Sequence, residues 1–183
     1  MAMLDFSKNY FELFGLPVGF VVDMDAIAER YRELQRVVHP DRFANASDQE
    51  KRLSMQGATL VNEAYQTLRD PLKRAIYLLS LHGVDIDVEK ETTHDTAFLM
   101  EQLALREELE QAVSAADPYA VVGELMDRIG LQIKSLLAQM AIHFESPTPE
   151  NLDAARELVR KMQFLQKLYS EAEAAEARLD DAV

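Results

Sequence analysis

The placement of proline constrains this chain more than any other feature. Six prolines occur in 183 residues, and none interrupts a periodic apolar stretch. Proline lacks a backbone N–H and its ring clashes with the preceding helical turn, so helices accept it at their starts and not in their interiors. Pro71, Pro118 and Pro149 directly follow Asp70, Asp117 and Thr148, three cap-plus-proline helix starts. Between the prolines, apolar residues recur at helical spacing. The best strand candidate, Phe20-Val21-Val22, is too short to matter. The chain is expected to be all-α.

A short first helix is expected over Tyr10–Phe14, stopped by Gly15-Leu16-Pro17. Asp23 is an N-cap for a second helix that ends just before Pro40 and carries the core stripe Ile27, Tyr31, Leu34 and Val38. Ser47 with Glu50 reads as a capping box opening a third helix. Its expected buried positions are Leu53, Gly57, Leu60, Ala64 and Leu68, with Gly57 a place for close approach of a neighbouring helix. Asp70-Pro71 starts a fourth helix bearing Leu78, Leu79 and Leu81, and Gly83 closes it. Residues 83–95 are polar and aperiodic and read as a linker between a domain over 1–82 and a second over 96–183. Three longer helices are expected there, from about Thr96 to Ala115, from Pro118 to about Phe144, and from Pro149 to about Leu179. Short turns between them predict an antiparallel bundle. The tail EAEAAEARLDDAV is helix-prone and expected to fray.

The charge is uneven. The net charge is −13, yet residues 1–75 hold 10 Lys and Arg against 11 Asp and Glu, whereas residues 76–183 hold 9 against 21. An acidic chain without an overall basic footprint disfavours nucleic acid as a partner. No apolar run approaches the ~20 residues of a membrane span, and no basic and apolar leader opens the chain; a cytoplasmic location is expected. There is no cysteine, so disulfides, thiolate metal sites and cysteine nucleophiles are excluded. His82, His94 and His143 lack metal-ligand spacing, no Gly-rich loop is present to cradle a phosphate, and no cofactor is expected. The eight methionines fall mostly at core spacings, Met100 being the exception.

His39-Pro40-Asp41 is the most informative tripeptide. Pro40 ends the second helix, so His39 and Asp41 should stand in a turn between packed helices, a rigid mount for exposed polar groups. With Ile27 at zero and about 100° per residue, Arg32 falls near 140° and Arg36 near 180°, opposite the core stripe. Arg30 lies on the flank and Arg42 follows the tripeptide. A positive surface therefore leads into a polar turn. Alternatively, His39 and Asp41 could be the base and orienter of a small helical hydrolase, but they flank a proline and no nucleophile or oxyanion site is evident nearby.

The text NYFELFGLP, then RYRELQRVVHPDRF, then LVNEAYQTLRDPLKRAIYLL resembles the J-domain of DnaJ-type co-chaperones. The resemblance implies a helical hairpin whose His39-Pro40-Asp41 turn engages the ATPase domain of a 70-kDa heat-shock-type chaperone. It also implies that Arg32 and Arg36, with Arg30 and Arg42 beside them, dock on an acidic surface. The turn would bias the partner towards ATP hydrolysis, so the chain itself need not be an enzyme.

In the second region, Phe98, Leu105, Leu109 and Ala112 form one stripe of the helix that starts near Thr96. Leu99, Met100 and Leu103 fall near 100°, 200° and 140° from Phe98 at about 100° per residue, on the side of Ala104, Glu107 and Gln111. In the last helix Leu158, Met162, Leu165 and Tyr169 mark the core side and Phe164 lies off it. The leftover apolar face is either covered by intramolecular packing or a partner-binding patch rimmed by Glu101, Glu107 and Glu108.

DTAFLMEQLALREELE together with RKMQFLQKL is similar to the HscB family, J-type co-chaperones of iron–sulfur cluster assembly, over about Tyr10 to Leu179. That implies an L-shaped protein whose C-terminal bundle binds the scaffold IscU and delivers it to the chaperone HscA. The scaffold-contacting positions would be Leu99, Met100, Leu103, Glu107 and Phe164. Ala104 and Gln111 depart from the commoner glutamates at their positions. Lacking cysteine, and with about nine residues before the first helix, the chain resembles the bacterial members. A bundle serving self-association or general clients is the alternative.

Overall fold

The computed structural model describes residues 4–43, 46–87, 90–112 and 114–180, with the backbone alone for Pro40, Arg42 and Asp180. The fold is all-α. Seven α-helices occur among the described residues: α1 (Tyr10–Phe14), α2 (Met24–Val38), α3 (Asp48–Arg69), α4 (Pro71–Leu81), α5 (Thr96–Ala112), α6 (Pro118–Glu145) and α7 (Pro149–Asp180). A short 3₁₀ turn, Pro40–Phe43, follows α2. Two compact units are present, the first ending at Leu81 and the second beginning at His82.

Capping chemistry sets the helix ends in the first unit. Asn9 and Glu12 make a capping box at α1, Asp23 accepts from the N–H groups of Asp25 and Ala26, and Ser47 and Glu50 make the expected box at α3. Asp70 accepts from Leu72 and Lys73 at the start of α4. Gly15 (φ 67°) and Gly83 (φ 77°) take the left-handed conformation just after α1 and α4, where a Cβ would be strained.

Phe11, Ile27, Val61, Leu68, Leu78 and Leu79 form the fully buried centre of this unit. The buried line of α3 differs from expectation. It runs through Ser54, Gly57, Val61, Ala64 and Leu68, while Leu53 and Leu60 are only half-buried. The stripe is rotated because α3 must offer its smallest residues where α2 crosses. A Cβ on Gly57 would lie 3.0 Å from Val38 Cγ1, which accounts for the glycine. Leu81 is 40 % exposed, beyond the last turn that packs. Tyr31, expected in the core, is half-buried; its ring stacks on Tyr65 instead, centroids 3.9 Å apart.

Arg74 is a charged residue buried in this unit. Its Nε donates to the carbonyl of Phe20 at 2.7 Å and its Nη1 to that of Leu68 at 2.5 Å, and its guanidinium stands 5.0 Å over the Phe20 ring. It thereby satisfies an end carbonyl of α3 and fastens the loop before α2. Burial pushes its pKa down.

Opposite results are expected at two helical glycines. Gly57→Val forces Val38 aside and should cost about 1–3 kcal/mol by overpacking. In Gly123→Ala the new Cβ meets nothing within 4 Å, and the change should stabilise by about 0.5–1 kcal/mol. Urea denaturation of the two variants measures both.

In the second unit, α6 and α7 are joined by Ser146–Thr148 and turn back on each other. With α5 they enclose Leu105, Leu109, Val122, Leu125, Ile129, Leu165, Leu168 and Ala172. The tail does not fray before Asp180: α7 continues to that residue, with Ala172 and Ala175 buried and Leu179 packed on the same core. Spacing of three to four residues keeps these small apolar side chains on the inner face, and their burial holds the helix.

Residues 90–95 are held against α7. Glu91 receives two bonds each from Arg156 and Arg160, Thr93 donates to Glu157, and Asp95 pairs with Lys161 at 2.6 Å. Asp95 also caps α5, accepting from the Phe98 N–H.

Candidate functional site

The surface at the end of α2 begins with a helix that has to stop. His39, preceding proline, has φ −60° and ψ 128°, the extended region that a following proline imposes. The carbonyl of Val38, freed of a helical partner, accepts from the buried hydroxyl of Ser54 at 2.7 Å. Val38 itself packs on Gly57. The turn is thus anchored to α3 by one hydrogen bond and one close contact, while its side chains face water.

His39 and Asp41 are 57 % and 91 % exposed at their side chains, with the Asp41 carboxylate 3.6 Å from His39 Nδ1. The Asp41 backbone N–H donates to the same nitrogen at 3.3 Å. Nδ1 thus faces the Asp41 backbone N–H, which leaves Nε2 as the ring nitrogen not engaged by this turn. Arg32, Gln35, Arg36 and His39 line a shallow, open depression beside the turn. Arg30 donates to Glu33 at 2.8 Å, which offsets part of its charge. The side chains of Pro40 and Arg42 lie outside the described residues.

Ser54 and Gln35 are the members of this surface that sequence reasoning missed. A small polar residue three positions before Gly57, on the buried side of α3, was the available signal for Ser54. For Gln35 it was helical phase, on the border between the core stripe and the arginines.

The second surface lies on α5. Met100 and Leu103 are 62 % and 50 % exposed, Glu107 is exposed, and Leu99 is half-buried. Phe164 of α7 is half-buried and meets Phe98 edge to face, centroids 6.3 Å apart. Arg106 pairs with Glu171 at 3.1 Å, so the same flank of α5 adjoins α7 one and a half to two turns further on. Leu99 thus lies on the flank that adjoins α7, with Leu103 next to it and Met100 turned further out towards solvent.

The acidic rim is narrower than expected. Glu101 accepts from Gln132 at 2.6 Å and Glu108 from Arg128 at 2.5 Å. Both face α6, because they sit near 300° and 280° at about 100° per residue from Phe98. Of the three glutamates, Glu107 alone shares the patch. Ala104 and Gln111 are exposed.

Beside this surface, the Glu91 carboxyl is held at about 2 by hydrogen bonds from Arg156 and Arg160. Hydrogen bonding to Lys161 and then to the Phe98 N–H also lowers Asp95. A folded pKa below the unfolded one contributes stability above the unfolded value, here 4.5, and loses it as pH falls towards the folded value. Glu91→Gln should therefore be less stable than the unsubstituted chain at pH 7, with the gap shrinking below pH 4.5 and closing near pH 2. Denaturant titrations across that range read the gap.

Among the described residues no group of three or more His, Asp or Glu is placed to hold a metal ion, and no helix is long and apolar enough to cross a membrane.

Two family models match the chain. The DnaJ domain covers residues 9–77, which include the turn at His39, and the HSCB C-terminal oligomerisation domain covers 94–173, which include Leu99 to Glu107 and Phe164. A co-chaperone protein HscB homolog of Shewanella amazonensis is 47% identical over 173 residues, 94% of this chain and 99% of the relative. The chain belongs to the HscB family of co-chaperones. Among solved structures, this HscB-family chain is similar to the chaperone HscB from Vibrio cholerae, with 41% identity, a TM-score of 0.85, and coverage of 94% of this chain and 99% of that one. It is also similar to the human co-chaperone protein HscB, with 32% identity, a TM-score of 0.83, and coverage of 93% and 83%. The first unit of this HscB-family chain is accordingly a J-domain and the second an HscB C-terminal helical domain.

Proposed function

We propose that this chain is a non-enzymatic cytoplasmic adaptor for iron–sulfur cluster assembly. Its J-domain binds the ATPase domain of an HscA-type chaperone and stimulates ATP hydrolysis. Its C-terminal bundle binds an IscU-type scaffold, delivers it to that chaperone, and so promotes cluster transfer. The supporting observation is one chain with two separate built surfaces. One is an anchored turn that presents the His39 ring and the Asp41 carboxylate to solvent; the other is an exposed apolar face at Met100 and Leu103, with Leu99, Glu107 and Phe164 beside it.

Arg32 and Arg36, with Arg30 on the flank and Arg42 following the tripeptide in sequence, supply the positive field that draws an acidic surface to the turn. Such steering acts on the association rate and weakens as salt screens charges beyond about 8 Å. Stimulation then requires the turn to bind the hydrolysis-competent state of the chaperone better than its resting state. His39 and Asp41 make that difference, one as donor and the other as acceptor, and the chemistry stays with the partner.

Steady-state ATP hydrolysis by HscA, with and without this chain and with and without IscU, tests the reading. The rate should rise on adding the chain and rise further with the scaffold present; no rise with the chain would overturn it. The family model's description as an oligomerisation domain favours a second reading, in which the α5 face closes on a second copy. Sedimentation separates them: a monomer that binds IscU supports the first, and a dimer that does not bind it supports the second.

A further inference from the structure

Gln35 lies on the border of α2. With Ile27 at zero and about 100° per residue, it falls near 80°, between Tyr31 near 40° and His39 near 120°. An exposed glutamine ordinarily samples several rotamers, and holding it in one costs entropy. Here the amide is held. Gln35 Nε2 donates to Tyr31 Oη at 2.5 Å, and Tyr31 Oη donates to Asn62 Oδ1 on α3 at 2.7 Å. The Tyr31 ring is in turn fixed by its stack on Tyr65, with Arg69 5.4 Å over the far ring. Two consecutive hydrogen bonds therefore run from α3 to the depression lined by Arg32, Gln35, Arg36 and His39, each polarising the next.

The chemistry of that lining is one-sided apart from Gln35. Two guanidiniums and the His39 ring N–H are donors. Gln35, its Nε2 committed to Tyr31, is the one side chain of the four that carries an acceptor oxygen, Oε1. We propose that Gln35 is a specificity-determining residue of this depression, held by the Tyr31–Asn62 relay so that Oε1 accepts a hydrogen bond from the partner. The proposal rests on the depression being the chaperone-docking surface. It goes further in the chemistry it demands. The occupant is an acidic protein surface with an N–H or O–H donor set among its carboxylates. A surface of carboxylates alone would leave Oε1 desolvated and unpaired, which discriminates against it.

Two substitutions isolate the relay. Gln35→Leu keeps bulk and net charge and removes the acceptor. Tyr31→Phe keeps the ring and its stack and removes Oη. HscA ATPase is titrated with the full chain and each variant. Each substitution should raise the half-maximal concentration about three- to tenfold, the worth of one hydrogen bond, without lowering the rate at saturation. The double variant should be no weaker than Gln35→Leu alone, because Tyr31 acts through Gln35. The Gln35→Leu ratio should hold from low to high salt, unlike that of Arg32→Ala, since no charge is removed. The thermal midpoint of Gln35→Leu should match the unsubstituted chain, and that of Tyr31→Phe should fall by no more than the loss of its bond to Asn62. An unchanged half-maximal concentration for Gln35→Leu, or additive losses accompanied by a lower midpoint for Gln35→Leu, would overturn the assignment. If the unsubstituted chain stimulates and His39→Gln does not, that failure concerns Gln35 alone. If the unsubstituted chain does not stimulate, the docking reading fails and the assignment with it.

Discussion

Replacing His39 by Gln, or Asp41 by Asn, should return HscA to its unstimulated rate of ATP hydrolysis while leaving IscU binding unchanged. Both side chains are largely in water, and the turn beneath them is held by Ser54 and by Val38 on Gly57. Stability should therefore stay within about 0.5 kcal/mol of the unsubstituted chain, as for ordinary surface changes, and lost stimulation cannot be ascribed to unfolding. Glutamine still offers an amide, but it lacks a rigid ring oriented through Nδ1 by the Asp41 N–H. Asparagine keeps the shape of Asp41 and removes its charge. If stimulation depends on differential contact with the hydrolysis-competent state, either change removes the difference. ATPase assays at saturating chain, with calorimetry of scaffold binding alongside, give the answer; normal stimulation by these variants would sink the adaptor mechanism.

The reciprocal result is expected on the other domain. Leu99→Ala combined with Phe164→Ala should weaken scaffold binding by about 10- to 100-fold, in line with truncating two apolar anchors at an interface. Basal stimulation of the chaperone without scaffold should persist. Phe164 also meets Phe98, so part of its loss falls on the bundle itself. Leu103→Ala provides the check, since half of that side chain is already exposed and its removal leaves the core intact. Binding by the Leu103 variant should fall several-fold with no change in unfolding midpoint. Added salt should weaken the chaperone contact more than the scaffold contact, because one is carried by arginines and the other mainly by apolar area.

Helix boundaries were legible because they are local. Asp23, Ser47, Asp70 and Asp117 cap the helices they precede, and proline and glycine mark the ends by backbone sterics alone. The candidate docking turn was legible for the same reason: a proline directly after a helix leaves its neighbours outside the core. The α5 face was legible from phase, since one helix cannot bury both sides of itself against one partner layer.

What depended on more than one element was misjudged. Leu53 and Leu60 looked like core because leucine is the more apolar choice, yet the close crossing at Val38 demanded Ser54 and Gly57. Charge alone sets Glu101 and Glu108 on the rim; their phase on α5 already turns them from the patch, and the packing of α6 supplies the partners Gln132 and Arg128 that hold them there. The acidic tail was expected to fray, yet its alanines carry α7 along the bundle core.

The sequence by itself determined the helices, their order, and the exposure of His39 and Asp41, because capping, proline geometry and 3.6-residue periodicity act within a few residues of one another. Only the tertiary structure decided that Arg74 is buried against the carbonyls of Phe20 and Leu68, that Glu91 is gripped by Arg156 and Arg160, and that Gln35 is held from α3. Each of those depends on a donor and an acceptor far apart in the chain, and their meeting is set by how helices pack, which no local pattern encodes.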